Sequence, residues 1–246
     1  MKFSKFFLQK DWIEKLIYYS LSYDSNVKDY QTVSHNSCEV LSLVRNGNFM
    51  KEITKSETAE NSNAKVFPYL NLIFDYITRR VKEKKERKYS GEGVEDKSSK
   101  MDVDDEVFCE EMLDGYFERI FLNLILKKKK RLFAFLFIYH PEFLDNLVYL
   151  SEKEEHFLNC IFYILQAKPD PKFSQHQSRF LLNLMNKISE TFNFRTNTTK
   201  LLFDRILSDR ELYQRYFSNN VKLYGALFDM LLRKLPIDTK EDSSEK

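Results

Sequence analysis

The chain has 246 residues, of which 43% are hydrophobic and 15% aromatic, and this content excludes a chain that is disordered throughout. Lys and Arg number 39 against 37 Asp and Glu, so the net charge is only +2 and a nucleic-acid surface would have to be local. Glycine and proline number 5 each, which favours long helices over the frequent turns of an all-β fold.

Two helices are predicted near the start of the chain. The first follows Asp11 as its N-cap, and its one-sided apolar stripe consists of Trp12, Leu16 and Tyr19. The second begins at Ser34 and ends at the stop signal Asn46-Gly47. The leading segment, MKFSKFFLQKDWIEK, has too short an apolar run for a secretory signal, and no charge-free run approaches the ~20 residues of a membrane span. We therefore expect a soluble intracellular protein.

A longer helix is predicted from Val66 to about Lys88, and its charged C-terminal half, RRVKEKKERK, is expected to project into water. Residues 89–105 combine Gly, Ser and dense charge without an apolar period, so a flexible loop is predicted there. The clearest helical stripe of the sequence comes next, formed by Leu113, Phe117, Ile120, Phe121, Leu124 and Ile125.

A basic cluster, Lys127 to Arg131, separates this stripe from an apolar run. We interpret the cluster as a solvated turn between two helices, because cations are favoured near the C-terminal end of a helix. The run from Leu132 to Tyr139 has no polar face and is predicted to be a helix buried on every side, ended by His140-Pro141. Five further one-sided stripes follow.

The succession of short amphipathic helices predicts an all-α fold, an irregular HEAT- or armadillo-like helical-repeat array, with a compact irregular helical domain as the alternative. We predict one domain over residues 1–235, interrupted by the charged loop, and a frayed tail at 236–246. The residues expected to be almost fully buried are Phe117, Phe121, Leu124, Phe135 and Leu136.

No arrangement of side chains has catalytic spacing, so we predict a protein that is not an enzyme and holds no cofactor or metal. Gly91 and Gly93 lie in the predicted loop instead of between a strand and a helix, as a phosphate-binding loop requires. His35 and Cys38 have no second pair to complete a zinc site. The three cysteines are expected to be small buried residues in a reducing compartment: Cys38, Cys109 and Cys160.

Segments over most of the chain follow a shared order of hydrophobic patterns. They are FLQKDWIEKLIYYSLS, HNSCEVLSLVRNGNFMKEI, LNLIFDYI, LDGYFERIFLNLILKKKKRLFAFL, HPEFLDNLVYL, HFLNCIFYILQ and TNTTKLLFDRILSDRELY. In order and spacing they resemble the SAPS-domain family, the regulatory subunits of type 6, or Sit-type, serine/threonine protein phosphatases. The best match is residues 113–136, where Tyr116 and Phe117 fall on the family's aromatic pair and Lys127 to Lys130 on its basic corner.

The resemblance implies a shortened, non-catalytic member that binds the phosphatase catalytic subunit and directs its substrate choice. Such a protein would be cytoplasmic, with a nuclear location as the alternative. The candidate partner-binding residues are Asn36, Glu39, Arg119, Lys127, Lys128, Lys129, Lys130, Arg131 and Asn197.

Two alternatives stay open. The chain could be a helical-repeat adaptor for another protein, or a nuclear or nucleic-acid-associated protein that uses Lys127 to Arg131 and the RRVKEKKERK segment. The near-neutral net charge and the interspersed acidic residues do not favour nucleic acid. An interfacial membrane helix is also disfavoured, because the run LFAFLFIY lacks a polar face.

Overall fold

The computed structural model describes residues 9–24, 26–43, 47–58, 65–90, 103–168, 170–190, 197–218 and 220–232. The chain groups into two compact units, Met1–Ser174 and Gln175–Lys246. Whether they form the single domain predicted over residues 1–235 depends on how they sit together, so that assignment stays a prediction. The predicted tail at 236–246 lies outside the described residues, as does 91–102 of the predicted loop.

The first unit is built from helices. Their bounds are α1 Lys10–Leu21, α2 Tyr30–Leu43, α3 Gly47–Ile53, α4 Pro68–Ser90, α5 Val103–Ala134, α6 Glu142–Ser151 and α7 Glu155–Gln166. Two short strands, β1 Glu57–Thr58 and β2 Lys65–Val66, pair antiparallel between α3 and α4. A π-helical turn, Phe135–Tyr139, continues α5.

The second unit is also helical. It contains α8 Ser174–Glu190, α9 Asn197–Lys200, a π-helical segment Leu201–Leu207, α10 Arg210–Tyr216 and α11 Val221–Leu232. Asp209 caps α10, since its carboxylate accepts the N–H of Glu211 at 2.8 Å and that of Leu212 at 3.0 Å. The all-α prediction is confirmed, whereas a HEAT- or armadillo-like order stays a prediction.

The first helix is rotated from its predicted stripe. It begins at Lys10, so Asp11 lies in the first turn and the prediction that it is the N-cap was wrong. Trp12 is at the surface, where the Lys15 ammonium lies 5.5 Å from its ring centroid. Leu16 of the predicted stripe is buried, and the other buried apolar residues of the helix are Ile13, Ile17 and Leu21. Branched aliphatic side chains fill this part of the core, and the large indole keeps contact with water.

The second helix begins one turn earlier than predicted. Asp29 has a positive φ of 55°, a conformation that Asp tolerates better than most residues. Its carbonyl accepts the N–H of Thr32 at 2.9 Å and that of Val33 at 3.1 Å, which starts the helix. Ser34 is therefore a buried interior residue and no N-cap. The predicted stop at Asn46-Gly47 lies partly outside the described residues, and Gly47 is the first residue of α3.

The core of the first unit is a cluster of aromatic rings around Phe74 of α4. Its ring centroid lies 5.7 Å from Phe117, 5.9 Å from Phe121 and 5.1 Å from Phe135. Such edge-to-face and tilted ring pairs stabilise a core beyond the burial of their area. The burial prediction is confirmed, because each of five side chains is 0% exposed: Phe117, Phe121, Leu124, Phe135 and Leu136.

Two helical segments meet, at a kink and not at an open turn, within the basic cluster. Helix α5 runs through it to Ala134, with a kink where Lys128 has the non-helical φ of −137° and ψ of 32°. A π-helical turn follows, and the N–H of His140 donates to the carbonyl of Phe135 at 2.8 Å. Burial on every side was wrong for this run, because Ile138 and Tyr139 are exposed. Pro141 ends the turn and begins α6, as predicted.

The predicted loop, 89–105, was wrong at its two ends. Helix α4 extends to Ser90 and α5 begins at Val103, so both ends of the predicted stretch 89–105 are helical. The end of α4 is helical because Lys, Glu and Arg, which dominate it, are good helix formers even without an apolar stripe.

The aromatic core gives a first prediction. Phe121→Ala should lower the free energy of unfolding by ~3–5 kcal/mol, because the fully buried ring leaves a cavity. Urea unfolding followed by circular dichroism measures the change. The control is Leu126→Ala on the same helix, where the side chain is 69% exposed and the expected change is below ~0.5 kcal/mol. Equal effects of the two substitutions would contradict this core.

Candidate protein-interaction site

A buried ion pair joins α4 to α5. The guanidinium of Arg80 donates to both carboxylate oxygens of Asp114, from Nε to Oδ1 at 3.0 Å and from Nη2 to Oδ2 at 2.9 Å. The hydroxyl of Tyr76 donates to Oδ1 of the same carboxylate at 2.5 Å. All three side chains are buried, so the two charges are compensated inside the protein and not by water.

The surroundings of this pair shift its pKa values. Burial lowers the pKa of Arg80, but the hydrogen bonds and the charge of Asp114 outweigh burial and raise it above the ordinary value. Burial raises the pKa of Asp114, and the bonds from Arg80 and Tyr76 offset part of that rise. Burial, followed by the charge of Asp114, also raises the pKa of Tyr76 well above its ordinary value. The tyrosine is therefore a hydrogen-bond donor at neutral pH.

The ion pair continues toward the surface through Glu110. Its carboxylate lies 3.0 Å from Nη1 of Arg80 and also pairs with Arg87, whose Nη1 donates at 3.2 Å. Burial opposes ionisation of Glu110, but the hydrogen bond and charge of Arg87 together with Arg80 lower its pKa. Tyr76 and Arg80 are four residues apart on α4, as Glu110 and Asp114 are on α5. Each pair thus presents one face to the other helix.

Arg79, the neighbour of this buried arginine, points to the other side and holds the end of α1. Its Nη2 donates to the carbonyl of Leu21 at 2.7 Å and to Oγ of Ser22 at 3.2 Å. The guanidinium carbon lies 5.7 Å from the ring centroid of Tyr76. A cation here satisfies an otherwise unpaired carbonyl at the C-terminal end of α1.

Two clefts open on either side of Arg79. One has a volume of about 380 Å³ and lies next to Tyr23, Arg87 and Glu110. The other has a volume of about 620 Å³ and lies next to Tyr18, Leu72 and Asp75. The clefts share Leu21 and Arg79, and together we name them the α1–α4 groove. Three exposed large side chains form its rim: Tyr18, Tyr23 and Leu72.

The predicted partner-binding residues lie at several places. Glu39 of α2 forms an ion pair with Arg119 of α5, and Nε2 of His35 lies 3.9 Å from the same carboxylate. Asn36 is exposed on α2. Asn197 is the first residue of α9, in the second unit, and its side chain lies outside the described set.

Three cations of the basic cluster bind other parts of the first unit. Nζ of Lys129 donates to the carbonyl of Lys168 at 2.7 Å, and Nζ of Lys130 lies 3.0 Å from Oδ2 of Asp170. The hydrogen bond from Lys130 lowers the pKa of that carboxyl. Arg131 donates through Nη1 to the carbonyl of Lys51 at 3.1 Å, at the end of α3. Lys127 is exposed and Lys128 is half-buried.

A second polar cluster, absent from the sequence predictions, joins α5 to α7. Nδ1 of His156 lies 2.6 Å from a carboxylate oxygen of Glu118, and the hydroxyl of Tyr163 donates to the other oxygen at 2.8 Å. Gly115 lies next to the imidazole, and a Cβ at that position would be 3.4 Å from the ring. These contacts join the two helices.

The cysteines are buried and free, as predicted: Cys38, Cys109 and Cys160. Burial raises the pKa of Cys38 to about 11 and that of Cys160 well above the ordinary value, so both are protonated thiols at neutral pH. Within the described part of the chain, no three His, Cys, Asp or Glu side chains are placed to hold a metal ion. No helix in that part combines the length and apolarity needed to cross a bilayer.

Comparison of the chain with protein-family models, with curated proteins and with solved structures gives no match. The resemblance to the SAPS-domain family therefore rests on the order and spacing of the hydrophobic segments alone.

The buried ion pair gives a second prediction. Asp114→Asn should lower the free energy of unfolding by up to ~3–5 kcal/mol, because the buried Arg80 charge loses its two-point partner and keeps only the less buried carboxylates of Glu110 and Glu83. Chemical denaturation of the single variants Arg80→Met and Asp114→Leu and of the double variant that combines them measures the coupling. The double variant should lose less than the sum of the singles. Lys10→Gln, which removes an exposed ion pair with Glu14, should cost below ~1 kcal/mol. Additive single effects would show that the pair does not act as a unit.

Proposed function

We propose that this chain is a non-catalytic helical scaffold that binds a protein partner in the α1–α4 groove. The partner that we propose is the catalytic subunit of a serine/threonine protein phosphatase, whose substrate choice the scaffold would direct. The groove carries the first part of this proposal, and the resemblance to the SAPS-domain family carries the second.

The chemistry of the groove is suited to a protein ligand. Tyrosine and arginine are the side chains that, with tryptophan, most often dominate the energy of protein interfaces, and Tyr18, Tyr23 and Arg79 meet here. Leu72 adds an exposed apolar side chain on the α4 side. Tyr18, Leu72 and Arg79 stand on helices that the Arg80–Asp114 pair and the Arg79 contacts hold in place, and Tyr23 follows directly after α1. A preordered surface loses less conformational entropy on binding than a mobile one.

The packing of the first unit supports an irregular helical array. Helix α1 packs on α2, and α6 packs on α7, as the paired helices of a repeat would. Helix α5 departs from a regular order, because it packs against α1, α2, α3 and α7. We infer an array in which α5 serves several helical pairs at once.

The contacts of the basic cluster support a protein ligand over nucleic acid. Lys129, Lys130 and Arg131 are engaged within the first unit, and Arg80 of the second basic segment is buried. A phosphate-binding surface needs cations that can exchange their counterions for phosphates. An adaptor for a different protein partner stays the second candidate, because the groove alone does not identify its ligand.

The proposal is tested by capture of a purified type 6 serine/threonine phosphatase catalytic subunit on the immobilised full-length chain. The wild type should retain the phosphatase, and Leu72→Asp should weaken the interaction about tenfold or more, because it places a charge in the groove. Leu126→Asp is the matched control, an exposed leucine on α5 that does not line the groove, and it should bind as the wild type does.

The outcomes separate the two parts of the proposal. Binding that is unaffected by Leu72→Asp would exclude the groove while keeping the partner. Failure of the wild type to retain the phosphatase would exclude the partner. Capture of another protein from a lysate in a Leu72-dependent manner would then favour the adaptor.

A further inference from the structure

The last described helix exposes an apolar face. In α11 the side chain of Val221 is 86% exposed, Tyr224 52%, Phe228 56% and Leu232 50%. Their spacing of three or four residues places them on one side of the helix. Leu223 is buried on the opposite side. Its backbone N–H donates to Oδ1 of Asn220 at 3.3 Å. An exposed apolar stripe of this kind marks an interaction surface more often than an ordinary surface.

A glycine and two opposite charges complete this face, which we name the α11 face. Gly225 lies beside the stripe, and a Cβ at that position would meet no atom within 4 Å. Lys222 and Asp229 are exposed and seven residues apart, so both lie along the same edge of the stripe, two turns from each other. Gly225 lies midway between them.

We propose that two copies of this chain associate through the α11 face, with the helices antiparallel and the two-fold axis beside Gly225. In an antiparallel pair the same edge of both helices meets, so Lys222 faces Asp229 of the partner subunit and the pair occurs twice. A parallel pair would place the charged edge of one helix against the Tyr224 edge of the other. The charges of this face are thus self-complementary in the antiparallel order alone.

The shapes of the side chains agree with the same register. The absence of a side chain at Gly225 allows the two helix axes to approach closely at the two-fold axis. With that centre, Phe228 lies at the level between Val221 and Gly225 of the partner subunit, where the missing Cβ leaves room for a ring. The stripe therefore interdigitates with a second copy of itself.

The size of the α11 face limits the affinity. A helix of 12 residues is ~18 Å long, so the buried area falls below the ~1,200 Å² of a stable interface. We expect a reversible dimer with a dissociation constant on the order of 10–100 μM.

Sedimentation equilibrium of the full-length chain from about 5 to about 500 μM tests the proposal. The wild type should dimerise, and Phe228→Asp should be monomeric throughout. Lys222→Asp and Asp229→Lys should each weaken the dimer about fivefold or more, because each reversal converts two attractions into two repulsions. The double variant Lys222→Asp with Asp229→Lys should recover an affinity within about twofold of wild type. An equimolar mixture of the two single variants should form a heterodimer.

Asp204→Lys is the control, an exposed charge reversal in the same unit that should leave the dimer unchanged. Thermal melts show whether each variant folds, and all substituted side chains are exposed. A wild type that stays monomeric to about 500 μM overturns the proposal and leaves the α11 face to residues 233–246 or to another protein. A dimer that survives Phe228→Asp, or charge reversals that the double variant does not rescue, also overturns it.

Discussion

The fold of the first unit depends on a buried charge that requires a partner of opposite charge. Arg80 and Asp114 are both removed from water, and an ion in that position is tolerated only when its partner stays within hydrogen-bonding distance. The two-point geometry fixes the rotation of α4 against α5 as well as their separation. Arg79 lies next to Arg80 in the same turn of α4, and its guanidinium donates to the carbonyl at the end of α1. The position of α1, and with it the α1–α4 groove, therefore also depends on the ion pair.

Helix α5 makes further polar contacts with neighbouring helices along its length. One turn after Asp114, the carboxylate of Glu118 contacts His156 and Tyr163 of α7. Further along, Nδ2 of Asn123 donates to the carbonyl of Leu41 in α2 at 3.2 Å. Arg131 then reaches the end of α3. Each polar side chain binds a different neighbour, and those of Asn123 and Arg131 bind a backbone carbonyl in the last turn of a helix. The aromatic core supplies non-directional attraction, and these contacts specify which arrangement of the helices is adopted.

Periodicity alone predicted the helical class and the centre of the core, because the stripe from Leu113 to Ile125 is wide and unbroken. Periodicity failed at Arg80, which is buried although the segment RRVKEKKERK was predicted to project into water. The signal was present, since Arg80 falls three residues after Ile77 and thus on the apolar face. Its partner could not be named, because the pattern does not say which helices are neighbours. The groove was missed for a related reason, since the apolar pattern does not say which exposed side chains of α1 lie beside α4.

The contacts of α5 have a consequence for how this chain tolerates change in its length. Each residue of an α-helix advances the direction of the side chain by ~100°, so one inserted or deleted residue between Asp114 and Asn123, ahead of the kink at Lys128, would turn the later contacts of that stretch away from their partners. A single amino-acid replacement at an exposed position of the same helix, such as Leu126, leaves the direction of the other side chains unchanged. Over this stretch the number of residues is therefore constrained more strictly than the identity of many of them.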